Sequence, residues 1–363
     1  MPLPTFDPTQ YDPQLDAKVA RFREHFACFS LPEPAVFRSA PLHYRMRAEF
    51  RLWHQAGKVH YAMFDPASPK TPVLIDDFPA AAERICTTMP RLREALDASD
   101  ALKRKIFQVE FLATLSNELM ISLVYHRPLD DTWDAAAREL ASRLDAQIIG
   151  RSRGQKRVLE RDWLLEAFEV DGRHLQYQQI EGSFTQPNAG VNRQMLGWAR
   201  QQAEGLGGDL LELYCGNGNF TIALAPLFGK VLATEVSKSS VRAAHHNLAA
   251  NRVDNVTMVR MSSDEISDAL SGGRSYRRMQ AVALADHRFS TLFVDPPRAG
   301  LDAATLALAA GFEHILYISC NPDTLHANLS VLHGTHRIAA AAAFDQFPYT
   351  HHLECGLLLT RRR

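Results

Sequence analysis

The feature that most constrains the fold is an apolar run that leads into a glycine-rich loop near residue 215. Residues 210–214 have the composition of a buried strand, Gly216 and Gly218 lie in the loop, and residues 221–225 continue with a helical pattern. From about residue 190 onward, further strand-like runs alternate with helical patterns, which is typical of βαβ units. The sequence therefore predicts an α/β fold with a mostly parallel sheet.

The alternation also predicts how the chain is organised. Upstream of residue 180, strand-like runs with helical patterns between them indicate an α+β region, so we expect two domains, 1–180 and 181–363. The alanine run 339–343 is expected to be a short buried or connecting segment. In the C-terminal half, strands are predicted at residues 210–214, 231–234, 256–260, 291–294, 315–319 and 353–360.

The glycine loop predicts a ligand site. Gly216 and Gly218 permit a tight turn and a close approach of the backbone to a ligand. Thr221 replaces the third glycine of the dinucleotide pattern Gly-x-Gly-x-x-Gly, and Glu235 ends the next strand about 20 residues on, where an acidic residue can accept ribose hydroxyls. These features favour an adenosyl ligand without a pyrophosphate, such as S-adenosylmethionine. Asp264 after the third strand is a candidate for the adenine, or equally for a helix cap.

Reactive side chains follow or precede predicted strands in the same half. Asp295 and Arg298 lie in a proline-stiffened loop after the fourth strand, Cys320 follows the fifth, and Glu354 precedes the last. A thiolate nucleophile together with a carboxylate base is what methylation of an unactivated pyrimidine carbon requires. The simpler alternatives are a rigid turn with a surface aspartate and an inert core cysteine.

Composition excludes several other classes of protein. The chain is 46% hydrophobic and 22% charged, and no run reaches the roughly 18 apolar residues of a membrane span. Its five cysteines form no Cys-x-x-Cys pair, which argues against a disulfide framework, a metal site or an iron–sulfur cluster. Residues 1–7 lack the pattern of a secretory signal. We expect a cytoplasmic protein without a metal.

The net charge of −1 gives no bulk signal for nucleic acid, so RNA contacts must come from local basic surfaces. Residues 45–53 alternate polar and apolar, so that a strand would present Arg45, Arg47 and Arg51 on one face. Such a face suits phosphate contacts, although a solvated sheet face fits nearly as well. A second candidate phosphate surface is formed by Arg151, Arg153, Lys156 and Arg157.

Four further motifs carry a resemblance to a known family. They are GSFTQPN (residues 182–188), DPPRAGL (295–301), ISCNP (318–322) and FPYTHHLE (347–354). Together they resemble the signatures of the RNA 5-methyluridine methyltransferases, and their amino-acid sequences are most similar to those of the bacterial branch that acts on tRNA. The resemblance extends from about residue 6 to 361.

The resemblance implies a fold, an activity and roles for individual residues. It implies a Rossmann-like class I methyltransferase domain with an N-terminal α+β RNA-binding domain, which converts uridine 54 of the tRNA T-loop to ribothymidine. Cys320 then stands at the nucleophile, Glu354 at the proton acceptor and Phe107 at an RNA-contacting aromatic. The positions that bind S-adenosylmethionine are Gln186, Tyr214, Asn219, Glu235 and Asp295, with Tyr214 replacing the Phe of a close relative. The implied partner is the tRNA T-arm, with T-loop-like RNAs such as tmRNA as further candidates, and we expect a monomer.

Three alternatives remain open. A related enzyme could use the same chemistry on ribosomal RNA, although the cysteine cluster common in those relatives is absent here. A non-catalytic tRNA-binding or tRNA-folding module is disfavoured by the presence of Cys320, Glu354 and Asp295. An NAD-dependent dehydrogenase is disfavoured by Thr221 in place of the third glycine.

Overall fold

The structure is a computed structural model of the 363-residue chain. It describes residues 6–65, 68, 70–274, 276–280 and 282–363, so the expectation for residues 1–7 lies largely outside it. None of the helices in these residues is long and apolar enough to cross a membrane.

The regular elements are numbered in chain order. The strands are β1 (Ala35–Phe37), β2 (Arg47–Gln55), β3 (Lys58–Phe64), β4 (Pro72–Ile75), β5 (Ile106–Ala113), β6 (Leu119–Tyr125), β7 (Gln147–Ser152), β8 (Gln155–Val158), β9 (Trp163–Val170), β10 (Arg173–Ile180), β11 (Asp209–Leu213), β12 (Val231–Thr234), β13 (Val256–Val259), β14 (Phe289–Val294), β15 (His314–Ser319), β16 (His336–Phe344) and β17 (Glu354–Arg361). The α-helices are α1 (Tyr11–His25), α2 (Glu83–Ala98), α3 (Asp100–Lys103), α4 (Asp131–Leu144), α5 (Ala189–Ala203), α6 (Asn219–Leu224), α7 (Lys238–Ala250), α8 (Ser263–Leu270), α9 (Ala303–Ala309) and α10 (Pro322–Leu332).

The chain divides into two compact units. The first unit contains residues 1–9, 40–167 and 179–189, and the second contains 10–39, 168–178 and 190–363. The chain therefore crosses between the units several times, instead of once near residue 180. In particular, α1 and β1 belong to the second unit together with the C-terminal half of the chain.

The first unit is built on a seven-stranded sheet with the order β4-β3-β2-β5-β6-β7-β8. Its pairs are antiparallel except for β6 and β7, which are parallel and joined through α4. Strand β2 shows why the sheet forms, because Ala48, Phe50 and Leu52 are buried while Glu49 and Arg51 are exposed. The alternation that the sequence predicted for this segment is therefore confirmed.

The second unit contains an eight-stranded sheet with the order β1-β16-β17-β15-β14-β11-β12-β13. Strand β17 is antiparallel to both of its neighbours, and the remaining pairs are parallel. Alternate residues of β11 belong to different apolar clusters: Leu211 and Leu213 belong to one cluster, and Leu210 belongs to another. A sheet buried on both faces is the expected form for parallel strands.

The predicted strands of the C-terminal half agree with the observed ones to within two residues at either end. The exception is the alanine run 339–343, which was expected to be a short segment and instead lies within the nine-residue strand β16. In the absence of tertiary contacts, alanine favours a helix over a strand. Here pairing with β1 on one side and β17 on the other supplies the strand's hydrogen bonds.

Candidate active site

Four predicted site residues lie at one edge of the second unit's sheet. Tyr214 directly follows β11, Glu235 follows β12, Asp295 follows β14 and Cys320 follows β15. These strands are parallel neighbours in the order β15-β14-β11-β12, so their carboxyl ends meet at the same edge. Open α/β sheets bind ligands at this edge. The structure therefore brings these four residues together.

The antiparallel strand β17 brings Glu354 to the same edge. Ser319 at the end of β15 pairs with Cys355 near the start of β17. Continuing that antiparallel register by one position places Cys320 opposite Glu354. Two residues 34 positions apart in the sequence are thereby close enough for the Glu354 charge to raise the pKa of Cys320.

The glycine loop has the geometry that an adenosyl ligand requires. Gly216 has φ +58°, and a Cβ added there would meet no atom within 4 Å, so the loop borders open space at this point. The Glu235 carboxylate accepts hydrogen bonds from the backbone N–H groups of Gly216 (3.1 Å) and Ser237 (2.7 Å). This carboxylate supports the loop and keeps lone pairs with which it can accept ribose hydroxyls. The residues present therefore fit S-adenosylmethionine.

The other predicted cofactor residues have different surroundings. Asn219 begins α6 and forms a reciprocal pair of amide hydrogen bonds with Asn192, at 2.8 and 3.0 Å. Gln186 lies in the first unit, within residues 179–189. Asp264 lies in the first turn of α8, whose N-cap is Ser262.

The surroundings of Cys320 oppose its ionisation. The side chain is half-buried, and burial together with the negative charges of Glu354 and Asp295 raises the pKa of the thiol to about 11. The Arg298 guanidinium acts in the opposite direction. Asn321 caps α10 and Pro322 begins it, so the thiol also lies just before a helix N-terminus, which favours a thiolate. Burial and the two carboxylates outweigh both favourable effects.

The two carboxyl groups are themselves perturbed. Burial, reinforced by Asp295, raises the pKa of Glu354 well above its ordinary value, and the Glu354 side chain is 3% exposed. Burial also raises the pKa of Asp295. A carboxylate with a raised pKa is a stronger base than one in water. Clustered groups with strongly shifted pKa values are typical of catalytic sites.

A cavity of about 700 Å³ opens beside Cys320. Its lining includes Arg298 and the loop residues His351 and His352 that precede Glu354. Residues of α1 also line it, which the sequence did not predict, because nothing local links the first 30 residues to the last 70. In the described residues, no group of three or more His, Cys, Asp and Glu side chains is arranged to hold a metal ion.

The first unit carries the predicted RNA-contacting residues. Phe107 is half-buried and stacks on His126, with ring centroids 3.8 Å apart and an interplanar angle of 8°, and the Arg51 guanidinium lies 5.4 Å from the Phe107 ring. Arg47 lies on the same strand as Arg51, whereas Arg45 precedes the strand and donates a hydrogen bond to the Arg47 carbonyl. His126 was missed by the sequence analysis, because a lone histidine at a strand end carries no local signal.

The second basic cluster is not the free phosphate surface that the sequence suggested. Arg151 and Lys156 both pair with the buried Glu181, and Arg157 pairs with two acids of α4. Arg153 alone among the four has no ion-pair partner in the described part of the chain. Glu181 and the two acids of α4 are 23 to 30 residues away in the sequence, so local charge counting could not find these pairs, and only the further pair of Lys156 with Asp162 is local, six residues apart.

Comparisons with known proteins agree with this geometry. The profile of the tRNA (Uracil-5-)-methyltransferase family matches residues 10–362. The tRNA/tmRNA (uracil-C(5))-methyltransferase of Azoarcus sp. (strain BH72) is 74% identical over 99% of both chains, and that of Pseudomonas putida (strain W619) is 56% identical over 98% of this chain and 99% of the relative.

Among solved structures, the Pyrococcus abyssi tRNA (uracil-54, C5)-methyltransferase in complex with S-adenosyl-L-homocysteine matches with a TM-score of 0.73. It is 22% identical and is matched over 96% of this chain and 83% of its own. These comparisons confirm the predicted fold class, enzyme class and methyl donor. The chain belongs to the tRNA (uracil-5-)-methyltransferase family.

Proposed function

We propose that this chain methylates carbon 5 of uridine 54 in the T-loop of tRNA, giving ribothymidine, with S-adenosylmethionine as the methyl donor. The observation that carries the proposal is the juxtaposition of Cys320, Glu354 and Asp295 at the ligand-binding edge of the sheet, next to the glycine loop. The curated relatives are named for tRNA and tmRNA, so T-loop-like RNAs such as tmRNA are included as substrates.

In the proposed mechanism Cys320 is the nucleophile. Its thiolate adds to carbon 6 of the uracil, forming a carbon–sulfur bond and moving the ring's electron pair into an enolate, which makes carbon 5 nucleophilic. S-adenosylmethionine supplies an electrophilic methyl group on a positively charged sulfur when it is bound. The enolate's electron pair then forms the bond from carbon 5 to the methyl group as the bond between that methyl group and the sulfonium sulfur breaks, which leaves S-adenosylhomocysteine, and carbon 5 still carries its original proton.

Glu354 completes the reaction as the base. Its carboxylate takes the proton from carbon 5, the electron pair re-forms the 5,6 double bond, and the Cys320 thiolate leaves from carbon 6. The raised pKa of Glu354 makes the ionised carboxylate a better proton acceptor. Arg298 is the neighbouring cation that favours the thiolate form of Cys320.

The proposed cofactor site consists of five residues. Glu235 accepts the ribose hydroxyls, and Tyr214, Asn219, Asp295 and Gln186 complete the site, as the family resemblance implies. The open space over Gly216 supports this assignment, since a side chain at this position would occupy it.

RNA recognition is assigned to the first unit. The Arg51 guanidinium over the Phe107 ring and the stacked rings of Phe107 and His126 present a cation and an aromatic platform, which suits a splayed base and its phosphate. Arg45 and Arg47 belong to the same proposed surface, although Arg47 also donates a hydrogen bond to the Ser183 carbonyl. The division of labour between an N-terminal recognition region and a C-terminal catalytic domain, a monomeric state and a cytoplasmic location are part of the proposal.

The test is methyl transfer from labelled S-adenosylmethionine to unmodified tRNA, with ribosomal RNA in parallel and nucleoside mapping of the product. Ribothymidine confined to the tRNA T-loop is the expected result. Label in ribosomal RNA alone would contradict the assignment of tRNA as the substrate. Absence of label from both RNAs would contradict the assignment of a methyltransferase activity.

A further inference from the structure

Helix α1 forms part of the cavity beside Cys320, and its position there is fixed by a buried ion pair. The Lys18 ammonium, 3% exposed, donates hydrogen bonds to the Asp345 carboxylate (2.7 Å) and to the Phe347 carbonyl (2.8 Å). Gln14 donates to the other oxygen of Asp345 at 2.9 Å. Asp345 and Phe347 begin the loop that ends at Glu354, so α1 is attached to the same loop that carries the proposed base.

The face of α1 next to this anchor lines the cavity. Four of its charged or titratable side chains do so, namely Lys18, Arg21, Glu24 and His25, on the same cavity as Cys320 and Arg298. At about 700 Å³ the cavity is within the range of small-molecule and nucleotide sites.

Two of these four side chains, Lys18 and His25, already have partners. Lys18 is neutralised by Asp345, and His25 lies 3.4 Å from the Asp323 carboxylate at the start of α10. Arg21 is exposed and, in the described part of the chain, its guanidinium has neither an ion-pair nor a hydrogen-bond partner. An unpaired arginine on the wall of a cavity that contains the nucleophile is available to a ligand.

We propose that the Arg21 guanidinium binds a backbone phosphate of the RNA adjacent to the target uridine. A nucleotide joined to the Cys320 sulfur carries phosphates on both sides of its ribose, and Arg21 lines the same cavity as Cys320. Arginine binds phosphate through two parallel, charge-assisted hydrogen bonds, which fix the orientation of the phosphate and also strengthen the contact. Arg21 is therefore a binding residue that fixes the register of the strand at the nucleophile, and this assignment rests on the proposed function.

The same helix offers a matched control. Arg23 is two residues away and also exposed, but it pairs with Glu33 and does not line the cavity. Arg21→Ala and Arg23→Ala remove the same charge from the same helix. Arg21→Lys keeps the charge but loses the paired hydrogen bonds.

The experiment compares kcat and KM for a T-arm RNA across a series of salt concentrations in wild type, Arg21→Ala, Arg21→Lys and Arg23→Ala. Arg21→Ala is expected to raise KM about tenfold, the loss of one charged hydrogen-bonded contact, with kcat unchanged. Its slope of log affinity against log salt should fall by about 0.7, one phosphate contact on single-stranded nucleic acid. Arg21→Lys should lie between wild type and Arg21→Ala, and Arg23→Ala should match wild type.

A KM and salt slope for Arg21→Ala equal to wild type, or equal to those of Arg23→Ala, would overturn the assignment. Binding of S-adenosylhomocysteine and the thermal midpoint should be the same in all variants, which excludes a general loss of structure. Equilibrium binding of the T-arm in the Cys320→Ala background gives a second, turnover-independent reading. If the wild type does not methylate tRNA, the proposed function fails, while the binding series still accepts or rejects Arg21.

Discussion

Two buried glutamates show how differently this chain uses the same side chain. Glu181 in the first unit is 7% exposed and Glu354 in the second is 3% exposed. Burial alone would raise both pKa values, but Arg151 and Lys156 reverse the effect at Glu181 and lower its pKa, whereas at Glu354 the nearby Asp295 adds to the rise. One acid is paired as a structural element, and the other is left in an environment that strengthens it as a base.

This difference indicates that Glu181 contributes to the stability of the fold, whereas the environment of Glu354 suits a role in chemistry. Glu181 also accepts a hydrogen bond from the Ser122 hydroxyl at 3.0 Å, so its buried oxygens are satisfied. Glu354 is next to another acid and a half-buried thiol, with Arg298 as the cation that opposes them. Buried groups whose charged forms are disfavoured are retained where chemistry needs them.

The largest effect is expected from removing the base. Glu354→Gln should lower turnover by about 10²–10⁴-fold, because proton removal from carbon 5 loses its acceptor while the shape of the side chain is kept. Glu181→Gln should leave turnover close to wild type once the folded fraction is taken into account. Multiple-turnover release of free T-arm RNA containing ribothymidine measures both, and a Glu354→Gln enzyme with wild-type turnover would remove this residue from the mechanism.

The reverse order is expected for stability. Glu181→Gln should lower the free energy of unfolding by about 1–2 kcal/mol. This loss is smaller than that expected for a fully buried ion pair, because the side chains of Arg151 and Lys156 are 39% and 31% exposed and water screens their charges. Glu354→Gln at pH 8 should be at least as stable as wild type. Urea unfolding measures the three proteins, with the exposed Glu139→Gln as the control for an amide substitution. Equal destabilisation by the two substitutions would contradict the comparison.

A smaller effect is expected on the thiol. Removing the Glu354 charge should lower the pKa of Cys320, which is held at about 11 by burial and the two carboxylates. Since one pKa unit changes the thiolate fraction about tenfold, alkylation of Cys320 at pH 8 should rise about threefold to tenfold in Glu354→Gln. Peptide mass mapping after timed iodoacetamide treatment measures it, with the exposed Cys28 of the same chain as the internal control. A slower reaction in the variant would show that the carboxylate activates the thiol instead.

The smallest effect is on the pH dependence of stability, and the two glutamates should act in opposite directions. The pKa of Glu181 is lowered in the fold, so its contribution is present above its ordinary value of 4.5 and is lost as the pH falls through the folded value. The pKa of Glu354 is raised, so its contribution is complete below 4.5 and is lost as the pH rises through the folded value. The stability of Glu354→Gln relative to wild type should therefore increase from pH 5 to pH 8. A constant or falling difference in urea unfolding would be inconsistent with the raised pKa.

The sequence predicted which side chains meet at the candidate active site because each of them lies where an apolar run stops. Cys320 precedes Asn321-Pro322, and these residues form the N-cap and first turn of α10. Glu235 and Asp295 follow strands in the same way. Parallel strands end at a common edge, so strand ends alone predict which side chains meet there.

Pairings between distant residues could not be predicted in this way. The acids that neutralise Arg151, Lys156 and Arg157 come from other elements of the first unit, and Asp345 is 327 residues from Lys18. The strand character of the alanine run depends on its two neighbours in the sheet, and not on its composition. Each of these features is set by tertiary contacts, which local pattern does not report.

The most direct test of the central claim is to trap the covalent intermediate. Glu354→Gln is incubated with S-adenosylmethionine and an unmodified T-arm RNA, resolved on a denaturing gel, and digested for mass mapping of the linked peptide. The account predicts an RNA–protein adduct at Cys320 that carries one added methyl group, and no adduct in Cys320→Ala. An enzyme that binds the RNA but forms no adduct, or an adduct at another cysteine, would contradict it.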